Sequence, residues 1–144
     1  MKTSSCKAKA RRLQNLVAEK LRELFPYLQE TDLRPALMGE SGIDIKLSAA
    51  ARKDVPFGIE CKNQEALNIW AAIAQAEENS GKEGLKPAVA FTRNRMKEPY
   101  VAVPLTVFLE MLVAFSFDNR ITRSLEGSKK IGAEMERLGV DEMK

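Results

Sequence analysis

Two short stretches alternate apolar and polar side chains one for one, and they constrain the fold more than any other part of the chain. The first is Ile43-Asp44-Ile45-Lys46-Leu47; the second is Phe57-Gly58-Ile59-Glu60-Cys61-Lys62. Successive side chains of a strand point to opposite faces, so a period of two marks a strand with one buried face. Ile43, Ile45 and Leu47 share one face of the first stretch, and Phe57, Ile59 and Cys61 share one face of the second. If the two strands are neighbours, their apolar faces bury together. Asp44, Glu60 and Lys62 then emerge on a common polar face.

Such a cluster has a chemical use. Two close carboxylates repel each other unless a divalent cation lies between them. Mg²⁺ takes oxygen ligands, typically one or two carboxylates completed by water and substrate phosphate. A neighbouring lysine can position a water or stabilise charge developing on a phosphate. Metal, lysine and water together suffice to hydrolyse a phosphodiester. The chain has no histidine, which removes imidazole bases, His-dependent triads and His-ligated metals from consideration. Catalysis here must run on carboxylates, lysines, hydroxyls or metal-bound water.

Ser41-Gly42-Ile43-Asp44, a gap, and Ile59-Glu60-Cys61-Lys62 resemble the signature of the PD-(D/E)XK nuclease superfamily. The likeness spans the first helix to about Val103. Ile43 stands where many members have proline, at a position that varies among them. The resemblance implies an α/β restriction-endonuclease-like core, a central mixed sheet of four to five strands flanked by helices. It implies a Mg²⁺-dependent deoxyribonuclease, in which Mn²⁺ can substitute, with Asp44 and Glu60 as metal ligands. Lys62 would orient the attacking water or steady the developing charge. Members often bring a first-helix glutamate toward the metal. Arg11-Arg12-Leu13-Gln14 resembles the start of that helix in Holliday-junction resolvases, with Gln14 where they carry glutamate. Gln14, Glu19 and Glu23 are left in competition; Glu19 is favoured for its charge, although helical geometry turns it away from the apolar stripe. Many members also carry a glutamine on the helix after the catalytic strand. Gln75 resembles it, on a polar helix face that is equally compatible with a surface glutamine.

The length of 144 residues fits one domain with its own core. The net charge of +3 is too small to announce a nucleic-acid partner, but its distribution is uneven. Residues 1–12 hold Lys2, Lys7, Lys9, Arg11 and Arg12 with no acid, a pattern suited to phosphate neutralisation or to a solvated terminus. Residues 1–10 are expected as a flexible basic arm. Lys9, Arg11, Arg12 and Lys46, with Arg93, Arg95 and Lys97 in a turn, are the expected phosphate contacts. Cys6 and Cys61 do not form a disulfide framework, and no signal segment is visible, so a reducing cytoplasm is expected.

The remaining elements follow from periodicity. Leu13, Leu16, Val17, Leu21 and Leu24 place a helix over 7–25, ended by Pro26. Ala36–Met38 is expected as an edge strand, and 48–56 as a plain connection. A helix is expected from Asn63, its N-cap, to about Asn79, with Trp70 anchored in the core. Residues 87–92 and 100–103 read as strands covered on both faces. From Pro104 to Phe117 a helix is apolar all round and must be buried. It is too short for a bilayer and is broken by Glu110, so a two-fold dimer is expected to cover it. Residues 118–144 are expected to pack loosely, with a weak helix near 128–138. The function expected is a structure-selective endonuclease acting on Holliday or other branched DNA junctions. The alternatives are a small restriction- or repair-type nuclease and an inactive nucleic-acid-binding module of the same fold.

Overall fold

The computed structural model describes residues 2–93 and 98–137, which divide into two compact units, 1–104 and 105–144. The first unit runs α1 (Lys2–Leu24), β1 (Leu33–Pro35), β2 (Ile45–Leu47), α2 (Ala49–Asp54), β3 (Phe57–Asn63), α3 (Ile69–Lys82), β4 (Lys86–Thr92) and β5 (Tyr100–Ala102). The second is α4 (Leu105–Arg137). The residues expected as a flexible arm are the first turns of α1, which ends just before Pro26.

The chain is α/β, with its strands in two sheets. β3 and β4 are parallel, Glu60 lying opposite Val89 and Lys62 opposite Phe91, and β5 joins β4 antiparallel. Parallel neighbours need a crossover connection, and α3 supplies it. β1 and β2 form a separate antiparallel pair. The described strands therefore make sheets of three and two rather than one sheet of four or five. β2 and β3 do not pair as a ladder. The Asp44 N–H donates to the Ile59 carbonyl at 3.0 Å, and the Asp44 carboxylate accepts from the Cys61 N–H at 2.7 Å. The side chain thus takes a donor that a facing carbonyl would otherwise receive, and regular pairing stops at the aspartate.

Alternation then assigns the two layers. Ile59 and Cys61 of β3 and Ala88 and Ala90 of β4 turn toward α1, into a core with Leu13, Leu33 and Ile45. Val89 turns the other way, onto Ala72 and Ala76 of α3. The same period of two sends Gly58, Glu60 and Lys62 to the α3 side. The polar face of β3 is thus covered by a helix.

Several boundaries differ from expectation for identifiable reasons. The α3 N-cap is Asn68, whose side chain accepts from the Ala71 N–H at 3.1 Å. Asn63 belongs to β3 and donates to the Lys9 carbonyl at 3.1 Å. With that start, α3 turns the small stripe Ala72, Ala76 and Ser80 inward, and Trp70 is 78% exposed rather than a core anchor. The 48–56 connection contains α2, capped by Ser48, which accepts from Ala51 N–H and donates to Asp32. The early edge strand lies at Leu33–Pro35, three residues before the expected 36–38, with Leu33 fully buried. β5 is an edge strand with Tyr100 and Val101 exposed, not one covered on both faces. α4 is one continuous helix, with Phe108, Met111, Leu112, Phe115 and Phe117 exposed in the chain rather than buried. Among the described residues no helix is long and apolar enough to cross a membrane.

Candidate active site

The site grows from the match between a strand and a helix. The polar face of β3 lies under α3, and its alternate positions meet Ser80, Asn79 and Gln75 of that helix. Gly58 meets Ser80, whose hydroxyl donates to the Gly58 carbonyl at 3.0 Å. Glu60 meets Asn79, whose amide donates to Oε1 at 2.8 Å. Lys62 meets Gln75, its ammonium donating to Oε1 at 2.7 Å. Lys62 Nζ also lies 3.9 Å from Glu60 Oε2.

Asp44 enters from the position just before β2, held by the Cys61 N–H. Burial raises its carboxyl above the ordinary range, and the Cys61 N–H, Lys62, Glu60 and Lys46 oppose that only in part. Glu60 is 1% exposed. Burial raises it as well, Asn79 opposes, and the nearby Asp44 charge pushes it further up. Burial also raises the Cys61 thiol, which is therefore a packing group and not a nucleophile. Asp44, Glu60 and Lys62 thus form one electrostatic cluster, with Gln75 holding the lysine.

A cavity of about 680 Å³ opens beside Asp44, lined also by Lys7, Arg11 and Gln14 of α1. Of Gln14, Glu19 and Glu23, Gln14 lines it. Glu19 is exposed and does not line it, because the buried positions of α1 are Leu13 and Ala18. Glu23 pairs with Lys20 at the surface. Of the expected phosphate contacts, Lys46 adds positive charge near Asp44 and donates to the Ser41 carbonyl at 2.5 Å. Lys9 is half-buried beside Asn63, and Arg12 is exposed. Arg93 lines a different cavity, with Phe91 and Tyr100. Arg95 and Lys97 lie outside the described residues.

Asn79 was not anticipated. Its signal was present: it follows Gln75 by four residues, and such positions share a helix face. What was missing was the later start of α3, which turns that face onto β3.

Among the described residues no group of three or more Asp, Glu, His or Cys side chains is arranged to hold a metal. The Asp44–Glu60 pair offers two carboxylates, the number Mg²⁺ commonly takes from protein when water and phosphate complete its shell. The oxygen-only donors suit a hard cation.

The raised carboxyls make a stability prediction. Near pH 3 the folded and unfolded chains are both largely protonated at these groups. As pH rises the unfolded chain loses its protons first, so stability falls until the folded values are passed. Glu60→Gln keeps an acceptor for Asn79 and removes the buried charge. It is expected to stabilise the protein by about 1 kcal/mol at pH 8 and hardly at all at about pH 3. Urea denaturation at the two pH values checks this; a destabilised variant at pH 8 would contradict it.

Comparison of the chain with protein families, with curated proteins and with solved structures finds no match.

Proposed function

We propose that this chain is a metal-dependent DNA endonuclease of the PD-(D/E)XK kind, directed at branched or junction DNA. The observation that supports it most is the meeting of Asp44, Glu60 and Lys62 in one cluster, with two carboxylates raised by burial. Asp44 and Glu60 would hold Mg²⁺ or Mn²⁺, which would polarise the scissile phosphate as a Lewis acid. Lys62, steered by Gln75, directs its ammonium at the attacking water or at the charge developing on phosphate. Lys9, Arg11, Arg12, Lys46 and Arg93 attract the DNA backbone and set its position.

The test is incubation with linear, nicked, flapped and four-way DNA, each with Mg²⁺, Mn²⁺ or EDTA. Branched substrates are expected to be cut in either metal and not in EDTA. No cleavage of any substrate in either metal would end this reading.

A second copy of the chain completes the proposal. The apolar stretch of α4 from Leu105 to Phe117 is broadly exposed, and contiguous apolar surface of this kind marks an association site. A two-fold pairing sets the same stretch of each copy against the other, and the assembly then holds two sites, one for each strand to be cut. Light scattering at micromolar protein is expected to give twice the chain mass of 16.1 kDa; the mass of one chain would remove the dimer.

A further inference from the structure

The loop between β1 and β2 exposes two apolar side chains at its tip, Leu37 at 61% and Met38 at 93%. It is nonetheless firmly held. Arg34 grips Glu40 through two hydrogen bonds of 2.9 and 3.1 Å, and the Glu40 carboxylate also accepts from the Leu37 N–H at 2.7 Å. The Glu40 N–H returns to the Leu37 carbonyl at 3.0 Å, closing the turn. Gly39 sits at φ +82°, a conformation that side-chain-bearing residues rarely adopt. The root of the loop is tied to the site itself, the Ala36 N–H donating to the Asp44 carbonyl at 2.7 Å. Arg11 also donates to the Ala36 carbonyl.

Leu37 and Met38 therefore stand at a fixed place on the wall of the cavity that Asp44 lines, facing Lys7 and Arg11. Arg34 neutralises Glu40. The guanidinium of Arg11 bonds to a carbonyl and to Gln14, neither of which cancels its charge. A rigid apolar tip beside cationic side chains suits a polyanion with exposed apolar faces. Nucleic acid whose bases have come apart meets both demands. Proteins that kink DNA insert Leu, Met and similar wedges between base steps, and a step already unstacked is the cheapest to enter.

We propose that Leu37 and Met38 form a wedge that enters the weakly stacked base step at a DNA branch point, parts it further and so confers the preference for branched over linear DNA. This rests on the nuclease reading above and names the residues that select its substrate. The apolar tip takes the place of a lost stacking partner, while Lys7 and Arg11 hold the adjoining backbone.

The experiment uses the full chain and four-way DNA carrying 2-aminopurine at the branch, whose fluorescence rises when the base loses its neighbours. Binding is followed in EDTA at low salt, and cleavage in Mg²⁺. Wild type is expected to raise the fluorescence and to prefer four-way over linear DNA. The L37S/M38S variant is expected to lose most of the rise and about 10-fold of the preference. Met38→Leu, which keeps an apolar tip, is expected to retain both. Thermal melting of each variant verifies folding; both positions are exposed, so little change is expected. If wild type cuts DNA but L37S/M38S keeps the full rise and preference, the wedge is wrong and the nuclease reading stands. If wild type neither binds nor cuts any DNA, the nuclease reading falls and takes the wedge with it.

Discussion

Lys62→Met is expected to lower the single-turnover rate of junction cleavage by about 10³-fold, with junction affinity changed less than about threefold. Methionine approximates the length of lysine but brings no charge. The ammonium is positioned by Gln75 at 2.7 Å and drawn toward Glu60 at 3.9 Å, so it is already oriented before DNA arrives. A group that acts on charge forming during reaction affects rate far more than binding. Asp44→Ala is expected to behave similarly. Gln75→Ala removes only the positioning contact and is expected to cost about 10-fold in rate, with little change in affinity. Rate and affinity are measured separately, by quenched-flow cleavage in Mg²⁺ and by binding in EDTA. Unchanged cleavage by the Lys62 variant would show that the cluster is not where hydrolysis occurs.

Gly58→Ala is expected to destabilise the protein by about 1–3 kcal/mol, lowering Tm by about 5–10 °C. A Cβ at this position would meet Ser80 Oγ at 2.1 Å, Ser80 Cβ at 2.7 Å and Ile43 Cγ2 at 3.0 Å. Ser80 is fully buried and bonded to the Gly58 carbonyl, so it has no room to move aside. The same close approach sets the distance at which α3 carries Asn79 and Gln75 over Glu60 and Lys62. Loss of cleavage is therefore expected to accompany the loss of stability. Ser80→Ala combined with Gly58→Ala should cost less than the sum of the two single changes, because neighbouring substitutions couple. Thermal and urea denaturation of the three variants measure this. Additive costs would mean that the contact does not control the packing.

These two outcomes test different parts of one arrangement. Lys62 probes the chemistry, and Gly58 probes the strand–helix spacing that aligns it. The Glu60→Gln prediction connects them. If the buried carboxylates oppose folding at neutral pH, removing one should stabilise the protein while abolishing cleavage. That opposition between stability and activity is expected where charged groups are held together for function.

Much of the site could be read from the order of residues. Alternation is a local property, so the faces of Ile45–Leu47 and Phe57–Lys62 followed directly from the chain; Ile43 precedes β2 and lies outside that core, against Gly58 on the α3 side. That Asp44, Glu60 and Lys62 share a side rests on the same rule, given neighbouring strands. The strong apolar stripe of α1 and the strand expected at 87–92, found as Lys86–Thr92, were also legible, because each carries its signal within its own span.

What surrounds those faces was decided in three dimensions. No local pattern states that the polar side of β3 lies under α3, since a charged face reads equally well as a wet one. Trp70 and Asn63 were misplaced for one reason: several residues near 63–69 can cap a helix, and only packing of the small Ala72–Ala76–Ser80 stripe against Gly58 selects Asn68. Glu19 was favoured for charge, yet burial of Leu13 and Ala18 turns it outward and leaves Gln14 at the cavity. The splitting of the strands into two sheets depends on a side chain, Asp44, accepting the hydrogen bond that a backbone carbonyl would otherwise take. Sequence determined which residues can share a face, because side-chain direction follows from backbone period. Tertiary structure decided which faces meet, because that depends on the close packing of groups far apart along the chain.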